Sequence, residues 1–242
     1  MFSKLTQYKS LILTALLPIV FFSDQTIAQL EPQVKEPNVN HERLYQVEVI
    51  VFGRSETNPQ ETWPTDIRLS YPENLSFISE SNLSENFTLV PANERSLNPQ
   101  AATLARSGSY TLLFHQAWRQ TIYASKTNIM IAGGKVFNEH HELEGSISLS
   151  VGQYLKIQTN LWLTKFAPFG TSVADTWPEL PSIPGTFATE VDKSQQNPIQ
   201  RIVKLNQERT MRSNEVHYMD HPLMGVFVKI IPVETQTEKS IN

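Results

Sequence analysis

The stretch EGSISLSVGQYLKIQTNLWL, residues 144–163, constrains the fold more than any other part of the chain. Ile147, Leu149 and Val151 alternate with serines. Leu155, Ile157, Thr159, Leu161 and Leu163 then alternate with Lys156, Gln158 and Asn160. A period of two places successive side chains on opposite faces of a strand. The Gly152–Gln153 pair between the two runs predicts an antiparallel hairpin with a two-residue turn.

Other strand signals surround this hairpin. YQVEVIVF (45–52) alternates and then turns apolar on both faces, the pattern of a strand with one well-buried end. YTLLFHQAWRQ (110–120) predicts a buried strand that ends in polar residues, and 128–132 a shorter one. Residues 199–211 and 225–233 predict two more. A helix is expected from Asn98, with Asn98 as N-cap, Pro99 at the first position and Gly108 as the stop. Prolines at 59, 64, 72 and 91 punctuate a long connection over 53–95, with Trp63 and Tyr71 expected to pin it to the body. Pro181, Pro184 and Pro198 mark a second loop. The fold class is therefore α+β, mainly antiparallel sheet, with one or a few short helices and long proline-rich loops.

The first residues carry Lys4 and Lys9 ahead of a 12-residue apolar run, Leu11–Phe22, then Thr26-Ile27-Ala28. That run is short of the roughly 20 residues a membrane-spanning helix needs, and the order fits a secretory signal peptide cleaved after Ala28. The expected organisation is a signal peptide over 1–28, a flexible lead-in over 29–43, one domain over 44–233 and a polar tail over 234–242. No membrane span is left after cleavage. Removing two lysines and one aspartate takes the formal charge from −4 to −5. An acidic chain without a basic run gives no support for nucleic-acid binding. With no cysteine, disulfide staples and zinc–thiolate sites are excluded.

No phosphate loop, serine-nucleophile elbow or metal-binding His-x-x-x-His spacing is present. His140–His141 reads as a solvated turn. The chemistry concentrates in MRSNEVHYMDHP, 211–222, and in His115, Trp118 and Arg119. His217, Asp220 and His221 could serve a metal-dependent or acid–base hydrolase. In an extended segment, however, His217 and His221 lie about 13 Å apart, too far for one metal. No cofactor, metal or catalytic residue is therefore assigned. The alternative is a polar corner in which Glu215, Asp220 and His221 are structural and Asp220 pairs with Arg212. His217 and Tyr218 would then face an open surface beside His115.

Taken together, YQVEVIVF, Glu61-Thr-Trp-Pro64, Leu69-Ser-Tyr-Pro72, YTLLFHQAWRQ and RTMRSNEVHYMDHPLMGVFVKIIP resemble the CsiV family of periplasmic peptidoglycan-binding proteins of Gram-negative bacteria. Two positions depart from that pattern, Gln153–Lys156 after the hairpin and Thr210 before Met211. The resemblance implies a non-enzymatic protein of the periplasm that binds peptidoglycan. It also implies support of a class A penicillin-binding protein through an outer-membrane lipoprotein activator; a pure protein–protein adaptor is the alternative. His115, Trp118, Arg119, Arg209, Arg212, His217 and Tyr218 are the implied ligand contacts. Their aromatic faces suit sugars and their cations suit carboxylates.

Overall fold

The alternation over 144–163 becomes two long strands, β6 (His140–Val151) and β7 (Leu155–Phe166), paired from Leu143↔Leu163 to Val151↔Leu155. The turn between them holds three residues, 152–154, rather than two. The computed structural model describes residues 43–55, 62–78, 87–137, 139–174, 176–185 and 197–234. The signal-peptide reading, nearly all of the lead-in and all but Glu234 of the tail lie outside them.

The remaining elements in chain order are β1 (Arg43–Arg54), β2 (Leu75–Ser76), β3 (Phe87–Leu89), a 3-10 turn (Ala92–Glu94) and α1 (Asn98–Arg106). Then come β4 (Tyr110–Ile122) and β5 (Thr127–Phe137) before the β6–β7 hairpin, and β8 (Ile199–Met211), β9 (Val216–His221) and β10 (Met224–Pro232) after it. The strands form two five-stranded sheets, ordered β3-β4-β1-β10-β9 and β2-β5-β6-β7-β8. Every pairing is antiparallel except the short β2–β5 contact. This is the expected mainly antiparallel α+β class, with more strands than the sequence signals alone supply. Among the described residues no helix is long and apolar enough to cross a membrane.

The sheets pack face to face. Val47, Val49, Val51, Trp118, Val226 and Val228 of the first sheet meet Ile129, Ile147, Leu149, Ile157, Leu161 and Leu205 of the second, all buried. This apolar interior is what the period-two patterns dictate. At Gly133 of β5 a Cβ would stand 2.1 Å from the Leu113 carbonyl of β4, so glycine is required where the two sheets touch backbone to backbone.

α1 covers the other face of the first sheet, placing Leu97, Ala101 and Leu104 on Ile50 and Phe52. Three local expectations change. Leu97, not Asn98, occupies the N-cap position, and the Asn98 side chain instead donates to the Ala92 carbonyl. β5 runs eleven residues instead of five. β4 is exposed over Tyr110–Leu112 and buried at its far end, because the sandwich covers only the stretch from Leu113 onward.

The 62–74 segment is pinned as expected. Trp63 packs on the core and on His221, ring centroids 5.0 Å apart, and Tyr71 packs on Trp162 at 5.0 Å. His140 and His141 are not a solvated turn. They open β6 and bind the fully buried Glu144, His141 through its backbone N–H at 2.8 Å and His140 through Nδ1. Burial first, and the Glu144 charge next, push the Tyr71 phenol above the usual tyrosine range.

Candidate functional site

β9 carries the middle of the MRSNEVHYMDHP stretch, and its register settles which of those side chains can act together. Tyr218 pairs with Phe227 and Asp220 with Gly225, whereas His217, Met219 and His221 lie opposite Val228, Val226 and Met224 of the sandwich interior. Side chains directly opposite share a face. Tyr218 and Asp220 therefore lie on the outer face of the first sheet, with His217 and His221 on the other. The three-ligand set His217–Asp220–His221 does not converge, and His217 and Tyr218 do not share a surface.

The outer face gathers an aromatic cluster. Tyr218 lies 5.1 Å from Phe227 and 6.4 Å from Phe52, and the Tyr110 ring stands edge-on to Phe52 at 5.2 Å. Gly225 makes room for it, since a Cβ there would meet the Phe52 ring at 2.4 Å. Tyr110 remains 37% exposed, and Tyr218 and Phe227 are half-buried. Phe227 also floors a groove of about 300 Å³ whose wall is Pro99, Gln100, Thr103 and Leu104 of α1.

Polar groups border the rings. Arg54, at the end of β1, donates to Asp220 Oδ1 at 2.7 Å and to the Tyr218 hydroxyl, and that hydroxyl donates to the same Oδ1. Burial first, and the Asp220 hydrogen bond next, push the Tyr218 pKa up to about 12. Tyr218 is thus a neutral hydrogen-bonding group at physiological pH, not a base.

The expected Arg212–Asp220 pair is replaced by Arg54–Asp220. Arg212 is 83% exposed and, among the described residues, its side chain reaches Glu215, at 3.9 Å. Because the Arg54–Asp220 pair is itself open to water, with Asp220 54% exposed, Asp220→Ala should lower stability by only about 0.2–1 kcal/mol. A thermal melt checks this; a loss several times larger would mean the pair is sealed from water.

The other nominated residues fall elsewhere. Trp118 is fully buried in the sandwich and donates to Gln120 Oε1 at 2.6 Å, so its ring cannot stack on a ligand. His115 lies under the chain leading into α1, its Nε2 2.8 Å from Glu48 Oε1. Arg119 is half-buried, opposite Gln46 and Thr88 at the far end of the same face. Arg209 is exposed on β8 of the other sheet. The His217 ring accepts from the Arg212 N–H at 3.2 Å and holds the β8–β9 turn. His221 packs on Trp63 and accepts from the Leu223 N–H at 3.2 Å. Of the proposed ligand residues, only Tyr218 joins the cluster. Sequence reasoning did not single out Arg54, Phe52, Tyr110 or Phe227; the aromatic residues near the ends of β1 and β4 were a local signal for Phe52 and Tyr110 alone.

Comparison with known proteins turns on the whole chain rather than on this face. A model of the CsiV peptidoglycan-binding protein family matches residues 25–233, most of the sequence. The chain belongs to the CsiV family. No curated protein and no solved structure matches it. The CsiV match spans the residues of both sheets and of α1. Its description as peptidoglycan-binding places the chain's ligand in the cell envelope.

Proposed function

We propose that the Arg54–Tyr218–Asp220 face and the groove beside α1 form the surface on which this CsiV protein holds peptidoglycan. One observation carries the reading: a cluster of partly exposed rings is bordered by a guanidinium, a carboxylate, a phenol and the polar Gln100 and Thr103. Sugar rings offer an apolar face to an aromatic and hydroxyls to the polar border. The family's description as peptidoglycan-binding supports a non-enzymatic role. The protein would work in the periplasm as an accessory of wall synthesis. The family resemblance further suggests support of a class A penicillin-binding protein through its outer-membrane lipoprotein activator.

Retention on purified sacculi tests the binding surface. The parent protein should co-sediment with sacculi and release no muropeptides. Tyr110→Ala and Arg54→Ala should each weaken retention roughly two- to tenfold, the scale of one aromatic or one exposed polar contact, with the fold intact. Unchanged retention in both variants would move the site elsewhere. Release of muropeptides would replace binding by hydrolysis.

A further inference from the structure

The outer face of the second sheet carries a feature to which nothing above assigns a role. The serines and amides that alternate with the core residues of β5–β8 come into register there. Ser146 stands opposite Asn160 and Asn160 opposite Asn206; Ser148 stands opposite both Asn128 and Gln158. With Lys126 and Lys204 they line a trough of about 410 Å³, walled on one side by Ser70 and Pro72. The wall is fixed by the floor: Asn160 Nδ2 donates to the Ser70 carbonyl, Asn128 Nδ2 to that of Glu73 and Lys204 Nζ to that of Arg68, at 2.7–2.8 Å.

Three properties define what fits. Its lining contains two lysines and no carboxylate. Lys126 is turned toward Gln158 at 2.7 Å and a distant Glu208 at 4.0 Å, but Lys204 has no carboxylate partner among the described residues. Burial holds the Lys204 pKa below the usual lysine value, so an anion beside it would be favoured. The Asn206 amide has no hydrogen-bond partner among the described residues. No aromatic ring lines the trough, so it lacks the platform a sugar face prefers. Crossing from β5 to β8 spans three strand spacings, about 14 Å, or about four residues of extended chain.

We propose that this trough is a second binding site, for an extended peptide of about four residues with a free carboxylate on Lys204 and backbone amides on Asn206 and the Gln158–Asn160 row. The proposal rests on the peptidoglycan reading and deepens it: the aromatic face takes the sugars and the trough takes the stem peptide.

The test uses the full chain, with a soluble stem tetrapeptide bearing free carboxylates as one probe and peptide-free glycan strands as the other. The peptide should bind the parent, and Lys204→Gln and Asn206→Ala should each weaken it about tenfold, as expected for loss of a hydrogen bond to a charged or buried polar partner. Glycan-strand binding should be unaffected by both substitutions and reduced by Tyr110→Ala. A parent that ignores the tetrapeptide overturns the trough site even if it still binds sacculi. The same holds if both variants bind the peptide like the parent, or if they lose the glycan strands instead. Failure of the parent to bind sacculi at all is the separate outcome that overturns the peptidoglycan reading.

Discussion

Replacing Glu48 by glutamine should destabilise the fold more than any surface change described above, by about 3–5 kcal/mol, the scale of breaking a buried carboxylate away from its partners. For a domain of this size that lowers the melting temperature by roughly 6–20 °C. Glu48 is fully buried in β1. Its two oxygens accept four hydrogen bonds: from the Ser96 N–H and hydroxyl at 2.7 Å, the Leu97 N–H at 2.8 Å and His115 Nε2 at 2.8 Å. An ionised carboxylate only accepts, so Nε2 carries the proton. An amide would set its own NH₂ against donors on one side. The carboxylate is therefore the anchor that fastens the lead into α1 onto the sheet. Burial alone would raise its pKa, but the bonds from His115, Ser96 and Leu97 outweigh burial and hold it below the ordinary 4.5. A depressed folded pKa contributes stability above the unfolded value that is lost as pH falls through the folded one. The parent should accordingly lose part of its stability below about pH 4.5, and Glu48→Gln should lack that component. A glutamine variant that melts with the parent and shows the same acid profile would remove Glu48 from this role.

Trp118→Ala is the second large effect, about 3–5 kcal/mol from the lost transfer energy and the cavity left between the sheets. Gln120 Oε1 would also lose its donor and stay buried without one. The result separates two readings of one residue. A ligand contact would weaken binding to sacculi and leave the melt unchanged. A core residue does the reverse, and Trp118→Phe, which keeps most of the volume, should recover much of the stability. Loss of sacculus binding with a normal melt would put Trp118 back at the surface.

Periodicity made the second sheet legible. Residues 146–151 and 155–161 alternate, and the structure turns Ile147, Leu149, Val151, Leu155, Ile157 and Leu161 inside, while Trp162 packs under Tyr71. The first sheet was less open to reading, because α1 covers part of its outer face. Glu48 follows the polar side of an alternating strand, like Gln46, and reads as solvent-facing. The donors that bury it are backbone groups 48 and 49 residues later, and no pattern within the strand announces them. The Arg54–Asp220 pair was invisible for the same reason, since the two residues are 166 apart in sequence. The motif at 211–222 does coincide with the strand that carries Tyr218 and Asp220. It could not say which half of its side chains faces outward, because that depends on the register with β10.

The place of β1 also governs when the fold can form. β1 is the middle strand of its sheet, hydrogen-bonded to β4 on one side and to β10, the last strand of the chain, on the other. The β5–β6–β7 meander can form from neighbours in sequence, but the sheet that covers its apolar face is complete only when residues 224–232 dock beside residues 43–54. Closing so long a loop makes the step entropically slow. Until it happens, part of the apolar interior lacks the Val226 and Val228 side chains that complete its cover, and incompletely covered sheets are prone to aggregate. Synthesis from the N-terminus therefore cannot finish this sandwich piece by piece. The first strand gains its second neighbour only when the last one arrives.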